Sequence, residues 1–490
     1  MDVRKNGNAA KDPPKDIIQN IIGSFGKYQF YLCILIFLSK YSMAFHQMGI
    51  IFLAPKVSYI CPDTGNQTCP CDDPVYDRSV FTNTIVMEWN LICGRQWLVS
   101  LTQTLFQLGS LFGSALFGVA SDKFGRKYTF LLALFVQMSS GIANGYMPTY
   151  WSFTLLRFLV GVGVGGTMVT GFVILMEFAG IQYRDSIAAW FSLHYDFGYI
   201  IMPGLAYLFR DYAQFQLATS LPMVVFISYV FLLPETPRWL IAAKKTEEAV
   251  LILERVARVN NRPTENIRAT VEAYEKTLGQ TKLRKGNVLD LVRTPALRRN
   301  TVCMAFCFFS CSYCVFGVSQ YVGQLGGNVF LNVAASATVA AIGAILSMPL
   351  MKITGRKTIF VSLFLVCGAS LLLLAVSDGG IAVAFACIGL GTGMIIFLVA
   401  SLYCSEMYPT VVRNAAVGVF TMLSRVGSMV APFVIGLQAR GAWVPAVVFA
   451  VPPLAAALVA LLLPETKGCR LMTTVEEGEQ FAKRKGSAKL

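Results

Sequence analysis

The chain reads Asp122-Lys123-Phe124-Gly125-Arg126-Lys127 between two apolar stretches, and Lys352-Ile353-Thr354-Gly355-Arg356-Lys357 between two others. The two blocks lie 230 positions apart (352 − 122) and share the triplet Gly-Arg-Lys. Each is followed by an acid and a base seven residues apart, Glu177 with Arg184 and Glu406 with Arg413, the second pair 229 positions after the first. Leu233-Pro234-Glu235-Thr236 returns as Leu463-Pro464-Glu465-Thr466, again 230 positions on. Three motifs at one offset identify a duplicated unit rather than chance likenesses.

The sequence around these blocks is apolar. Of 490 residues 55% are hydrophobic and only 14% charged, against roughly 25% charged in a soluble domain. A soluble fold of this composition would leave too much apolar surface in water, so lipid is the solvent for most of the chain. Twelve runs are long enough to span a bilayer: 28–52, 97–119, 128–147, 150–175, 186–209, 213–233, 301–322, 331–351, 358–377, 380–403, 414–437 and 441–463. Their apolar residues do not alternate in twos, which excludes a β-barrel. The expected fold is an all-α integral membrane protein, twelve transmembrane helices arranged as two six-helix pseudo-repeats, 28–233 and 301–463.

Charge in the connections sets the expected orientation. The segment 234–300 holds 14 Lys and Arg against 8 Asp and Glu, whereas the loop 53–96 carries Lys56, Arg78 and Arg95 against five acids. The positive-inside rule puts 234–300 in the cytoplasm and 53–96 outside, with the tails 1–27 and 464–490 both cytoplasmic. The net charge of +14 is thus a matter of topology, and no grouping of basic residues suggests nucleic acid. Residues 1–27 are polar and lack the apolar core of a cleaved signal peptide, so the first helix is expected to be an uncleaved anchor.

Four of 13 cysteines, Cys61, Cys69, Cys71 and Cys93, fall in the outer loop. An even number there predicts two disulfides, with three pairings open. The loop also contains the sole Asn-x-Ser/Thr sequon, at Asn66, an expected glycan site. Cys303, Cys307, Cys311 and Cys314 share one helical face, but inside a span with no His nearby they read as packing, not as a metal site.

The repeated charges have a mechanical meaning. Gly118, Asp122, Gly125 and Arg126 at the end of span 2, Glu177 and Arg184 after span 4, and Glu406 and Arg413 after span 10 gather acids and bases at helix ends on the cytoplasmic side. Ion pairs among them would hold a helix bundle together in one state and release as the halves rock, which makes them a candidate cytoplasmic gate.

Gly118-Val119-Ala120-Ser121-Asp122-Lys123-Phe124-Gly125-Arg126-Lys127 resembles the signature loop of the major facilitator superfamily. Met87-Glu88-Trp89-Asn90-Leu91-Ile92-Cys93, Pro234-Glu235-Thr236-Pro237-Arg238-Trp239-Leu240 and Glu406-Met407-Tyr408-Pro409-Thr410-Val411-Val412-Arg413-Asn414 resemble its organic cation, anion and carnitine transporter family. Gly198-Tyr199, Pro203-Gly204-Leu205-Ala206-Tyr207 and Arg210-Asp211 look most like the carnitine-type branch and its insect relatives. The resemblance implies the major facilitator fold and transport of small organic ions at a plasma membrane by alternating access. Arg425 fits the carnitine and anion branches, where cation-selective members carry an acid. The acid usual in span 8 of the family falls on Ala340, and Lys352 stands where the signature loop has Asp.

Charged groups at mid-bilayer cost several kcal/mol unless they face a wet cavity or a partner. Lys40, Asp196 and Arg425 each lie roughly 15–18 Å into their spans at a rise of about 1.5 Å per residue. Ser192, Asp196, Tyr199 and Pro203 recur on one face of span 5. Phe316, Phe397 and Tyr403 are at or close to positions where family members line the cavity, and their rings suit organic cations. These residues are the candidate substrate contacts. Arg157 reads as a structural partner and His46 as packing.

The expected function is a secondary-active or facilitative carrier of small organic ions: zwitterions such as carnitine, betaines or amino-acid derivatives, or organic anions. The alternatives are an organic cation carrier and a non-transporting receptor or sensor on the same scaffold. No HExxH, CxxC, GxSxG or phosphate loop stands where chemistry would need it, so neither enzyme activity nor a metal or other cofactor is expected. The Gly161-to-Gly166 run lies inside span 4, where small residues let helices approach. The partners are a small organic ion, membrane lipid and a coupling ion such as H+ or Na+.

Overall fold

The computed structural model describes residues 17–62, 67, 69–280, 289–468, 472 and 475–483. The expected glycan site, Asn66, and residues 1–16 of the N-terminal tail lie outside the described residues.

Twelve helical stretches follow in the expected order. The first half contains span 1 (Lys27–Met48, continued by Ile50–Leu53), span 2 (Trp97–Phe124), span 3 (Arg126–Asn144), span 4 (Tyr150–Phe178) and span 5 (Arg184–Leu208). Span 6 is segmented into Tyr212–Ser220, Leu221–Ser228 and Tyr229–Leu232. The second half contains span 7 (Pro295–Val322), span 8 (Val329–Ile353), span 9 (Arg356–Ala375), span 10 (Gly379–Met407), span 11 (Thr410–Ile435) and span 12 (Val444–Ala460). Several starts carry a side chain that takes up orphan N–H groups: Thr149 for span 4, Asp211 for span 6 and Asn328 for span 8. Span 6 tightens to a 3-10 path at Pro222, which has no N–H to continue the α-helical ladder.

Nine of the stretches are long and apolar enough to cross a membrane on length and composition alone. Spans 3 and 5 fall short because they carry charge and amides, Arg126, Lys127 and Gln137 in one and Arg184, Asp185 and Asp196 in the other; span 12 is short, at 17 residues. Their polar groups are tolerable because they face protein rather than lipid: Gln137, for example, is fully buried and donates to Ser42 Oγ at 2.9 Å.

The glycines of span 4 do what small residues do in membranes. A Cβ on Gly161 or Gly165 would collide with the backbone of span 2 at Phe106 and Ser110. One on Gly163 would sit 2.6 Å from the Gln137 nitrogen of span 3, and Gly113 in turn faces the backbone of Val162. Spans 2, 3 and 4 therefore touch backbone to backbone, a contact no larger residue permits.

The segment 234–300 is not a simple loop. Pro237–Ala242, Thr246–Val259 and Ile267–Gln280 are helices. Leu240, Val250, Leu253, Val256 and Val271 share an apolar cluster with Ile18, Ile22 and the lower ends of the first half. The Asn260 side chain bonds Tyr28 N at 3.0 Å, Ile22 O at 2.9 Å and Gln29 Oε1 at 2.7 Å, stitching this layer to span 1. Span 7 begins at Pro295 rather than at 301, and its first N–H groups, Ala296 and Leu297, are capped by Glu479 of the tail helix Val475–Lys483 at 3.1 and 3.2 Å.

At the opposite end the cysteine loop is held by Cys61–Cys71 and Cys69–Cys93 and by the two-stranded pair Tyr59–Ile60 with Val75–Tyr76. One of the three open pairings is thus selected. Trp89 anchors the loop on the bundle, with its ring among those of Tyr150, Phe153 and Tyr212 and its indole N–H on Pro148 O at 3.3 Å.

The two halves meet unevenly. The apolar cluster at the cysteine-loop end joins residues of both halves, among them Phe52 and Phe215 with Phe330 and Val333. The other large clusters each belong to a single half. Ser100 Oγ donates to Pro432 O at 2.9 Å, Thr104 Oγ1 to Met429 O at 2.8 Å, and Phe52 stacks on Phe330 with centroids 5.7 Å apart. The halves are closed on each other at the cysteine-loop end.

Candidate functional site

Between the halves is a cavity lined by spans 1, 4 and 5 from the first half and spans 7, 8, 10 and 11 from the second. Lys40, Asp196, Tyr199, Phe316, Phe397 and Arg425 all line it. Three of them are ionisable, and none is joined to another by a direct ion pair, although Lys40 and Asp196 lie close enough to act on each other electrostatically. Both carboxylate oxygens of Asp196, 1% exposed, lack any hydrogen bond. Lys40 Nζ sits 3.7 Å over the centroid of the Phe191 ring. Arg425 reaches only Gln107 Oε1 at 3.5 Å and Met168 Sδ at 3.1 Å. The mutual neutralisation of Asp196 and Arg425 by a direct bond is not seen. The cavity offers two basic groups and one acidic group, with their hydrogen-bonding capacity largely unused.

The remaining lining is soft and aromatic. Met43, Met168 and Met394 flank Phe316, Phe397 and Tyr195, a surface that adapts to organic groups of varied shape and presents π faces to cations. Tyr199 OH lies 3.3 Å from Ser336 Oγ, so this residue both borders the cavity and bonds across the halves. Ala340 also lines the cavity, so the position where the family resemblance leads one to expect an acid presents a methyl.

Tyr403 requires a correction. It is completely buried, donates its hydroxyl to Pro464 O at 2.5 Å and packs edge-on against Phe360. It stands near the motif end of span 10, two turns beyond the cavity-lining Phe397, and does not line the cavity. Sequence reasoning in turn missed Ser312 and Ser319 of span 7, Thr421 and Ser424 of span 11, and Gln47 of span 1, all on the lining. The spacing Ser312, Phe316, Ser319 and the run Thr421, Ser424, Arg425 each mark one helical face and were the available signal.

The repeated motifs form two matching networks, one in each half. Arg126 Nε bonds Glu177 Oε1 at 3.0 Å, Arg126 Nη1 bonds Ser121 O at 2.7 Å, and Arg126 N bonds Glu235 Oε1 at 2.9 Å. In the second half Arg356 Nη2 bonds Glu406 Oε1 at 2.9 Å, Nη1 bonds Met351 O at 2.7 Å, and Arg356 N bonds Glu465 Oε1 at 2.8 Å. The acid at the end of span 4 or span 10 thus pairs with the arginine of the signature loop. In the second half Arg413, seven residues past Glu406, has no hydrogen bond from Nε or Nη2, and in the first half Arg184 opens span 5. Asp122 contacts Arg126 at 2.9 Å but is 80% exposed, a pair of the kind worth little in water. Gly118 lies in a loose stretch where an added methyl meets only Val169 at 3.9 Å. Gly125, at φ +103°, is different: its backbone is left-handed, and a Cβ would run into the Glu235 carboxylate.

Glu235 and Glu465 were not foreseen as working parts, although their motif repeats at the same offset. Burial pushes the Glu235 carboxyl up, against the backbone N–H groups of Thr236, Lys127 and Arg126 that favour its charged form. Arg157 is fully buried in the first half, its guanidinium 4.6 Å over Phe106 and its Nη2 3.1 Å from His46 O. The thiols of Cys307, Cys311 and Cys314 point at carbonyls of Ala456, Gly393 and Phe449, thereby packing span 7 on spans 10 and 12.

Two six-helix halves with matching Arg–Glu networks at one end and a charged cavity between them match what the family profile detects: the Major Facilitator Superfamily matches residues 96–432. The chain belongs to this superfamily. Within it, the chain is 31% identical to an organic cation transporter protein of Drosophila melanogaster over 96% of its own length and 95% of the relative's. It is 34% identical to solute carrier family 22 member 12 of mouse, covering 84% of this chain and 75% of that one, and 34% identical to member 3 of rat, covering 81% and 72%. It is thus a membrane transporter of the solute carrier 22 type and not an enzyme. Among solved structures, an inward-open form of the xylose transporter XylE from E. coli superposes with a TM-score of 0.68 at 17% identity, covering 92% of this chain and 98% of that one. That likeness concerns the fold alone.

Proposed function

We propose that this transporter carries small organic ions bearing a carboxylate, either zwitterions of the carnitine, betaine or amino-acid-derivative kind or organic anions, across the plasma membrane by alternating access. The observation that carries this reading is the set of three ionisable cavity groups, Lys40, Asp196 and Arg425, two basic and one acidic, none of them in a direct ion pair. Buried charge left unpaired is costly, and a solute with a carboxylate and an ammonium group would satisfy both signs at once. Arg425 takes the carboxylate, for which its planar fork is suited. Asp196 and the rings of Phe316 and Phe397 take the ammonium group. The second reading, an organic cation carrier, rests on Asp196, the aromatic and Met lining, and the printed name of the Drosophila relative.

Uptake of a labelled panel of zwitterions, anions and simple cations by cells expressing the full chain separates the two. Zwitterions and carboxylates entering faster than simple amines support the first reading, and uptake confined to amines overturns it. Repeating the measurement without external Na+ and across external pH identifies a coupling ion.

In this reading the cysteine loop faces outside, both termini and the segment 234–300 face the cytoplasm, and the Arg–Glu networks are the cytoplasmic gate. Glycosidase treatment is expected to lower the apparent mass of the mature protein, and Asn66→Gln to abolish the shift. A position 66 accessible only to cytoplasmic reagents would reverse the whole topology.

A further inference from the structure

A second cavity lies at the cysteine-loop end, about 300 Å³ in volume and sharing no lining residue with the central one. That size is at the lower limit for small-molecule sites. Its walls come from both halves: Ile51 at the end of span 1 and Val99 of span 2 on one side, Gln320 of span 7 and Ile435 of span 11 on the other. The roof is the disulfide-bonded loop, through Tyr59 and Ile92.

The chemistry of the lining is one-sided. Among the described residues Lys56 is the single charged side chain and no acid is present. Lys56 is exposed, as befits a rim residue that meets a ligand arriving from water. Deeper in, Gln320 is 7% exposed, and its Nε2 has no hydrogen-bond partner. A buried amide donor without a partner, on a residue that lines the cavity, is a group waiting for an acceptor. Gln324 and Gln438 add further amides, while Ile51, Val99 and Ile435 make the rest apolar.

We propose that this cavity is a second binding site, for an amphiphilic monocarboxylate, whose headgroup is held by Lys56 and the Gln320 amide and whose apolar chain lies between spans 1, 2 and 11. The inference rests on the alternating-access reading above in one respect, that the cysteine-loop end is the extracellular one. The walls belong to two halves that are closed on each other here, through Ser100 on Pro432 and Phe52 on Phe330. Opening the central cavity to this side requires those walls to part, which dismantles the site. A ligand that binds one of two states shifts the population toward it. The carboxylate therefore holds the carrier closed on the outside and slows its cycle without entering the transport path.

The test uses octanoate added outside cells expressing the full chain, with octylamine as the matched cation. Octanoate is expected to lower the maximal uptake rate of a substrate from the panel, with no recovery at saturating substrate, and octylamine is expected to have no such effect. Lys56→Gln should raise the half-inhibiting concentration about tenfold, the loss of one charge-assisted hydrogen bond, while leaving uptake without octanoate unchanged; Gln320→Leu should act in the same direction. Inhibition that saturating substrate relieves, equal potency of octylamine, or equal sensitivity of wild type and both variants would overturn the proposal. A readout independent of transport keeps it separate from the function proposed above. Octanoate should raise the thermal midpoint of the purified chain, and less so that of Lys56→Gln, whatever solute is carried; no shift in wild type would sink the site even if transport is as proposed.

Discussion

Arg425→Ala is expected to reduce uptake of carboxylate-bearing solutes by about 10- to 100-fold, the cost of losing a charged hydrogen-bonding partner of roughly 1.5–3 kcal/mol. Simple amines should be affected far less. Asp196→Asn should do the reverse, sparing anions and impairing solutes with an ammonium group. The expectation follows from the geometry: both groups line the same cavity, and neither is bonded to the other. Removing either one therefore breaks no existing ion pair in the empty protein. It does change the balance of the cavity, to one base and one acid without Arg425 and to two bases without Asp196, counting Lys40, Asp196 and Arg425 alone. Uptake of the panel by each variant, normalised to protein at the cell surface, is the measurement. A uniform fall for every solute in both variants would make these charges structural and move the substrate contacts elsewhere in the cavity.

Arg126→Ala is expected to destabilise the first half by a few kcal/mol, toward the lower end of the roughly 3–5 kcal/mol seen when one member of a buried ion pair is deleted. Arg126 and Glu177 are 13% and 14% exposed, so water screens them only in part. The deletion strands the Glu177 carboxylate and removes the bond to Ser121 O at the end of span 2. The double variant Arg126→Ala/Glu177→Ala should recover part of that loss, because no charge is then left unpaired. Arg356→Ala and its double variant with Glu406→Ala should repeat the pattern, since the second network joins the same three groups and holds Glu406 by two bonds, at 3.1 and 2.9 Å. Asp122→Asn should change stability little, the residue being 80% exposed. Thermal midpoints of the purified variants test this directly. Losses that simply add in the double variants would mean that the arginine and the glutamate act independently, contrary to the geometry.

The matching of the two networks explains why the architecture was legible before any coordinates. Arg126 with Arg356, Glu177 with Glu406 and Glu235 with Glu465 recur at an offset of 229 or 230 because each half must close the same three helix ends with the same chemistry. Helix number and order were legible for a related reason. A bilayer demands about 20 apolar residues for every crossing and forbids unsatisfied backbone within it, so composition marks most of the spans, and the repeat supplies the rest. The charges Lys40, Asp196 and Arg425 stood out because lipid makes any mid-span charge expensive.

Tertiary structure decided what those constraints leave free. Spacing along a helix assigns a residue to a face, but not to the neighbour that the face meets. Tyr403 therefore proved to pack under Pro464 instead of lining the cavity. The pairing of the four loop cysteines depended on how the loop folds over spans 4 and 6 through Trp89, which no count of cysteines contains. The sequence alone determined a duplicated twelve-helix membrane carrier with charge in its interior, because the cost of exposing polar groups to lipid acts on each segment separately. Which charges face one another, and which end of the two halves is shut, was decided only by the packed structure, because those energies arise between segments remote in the chain.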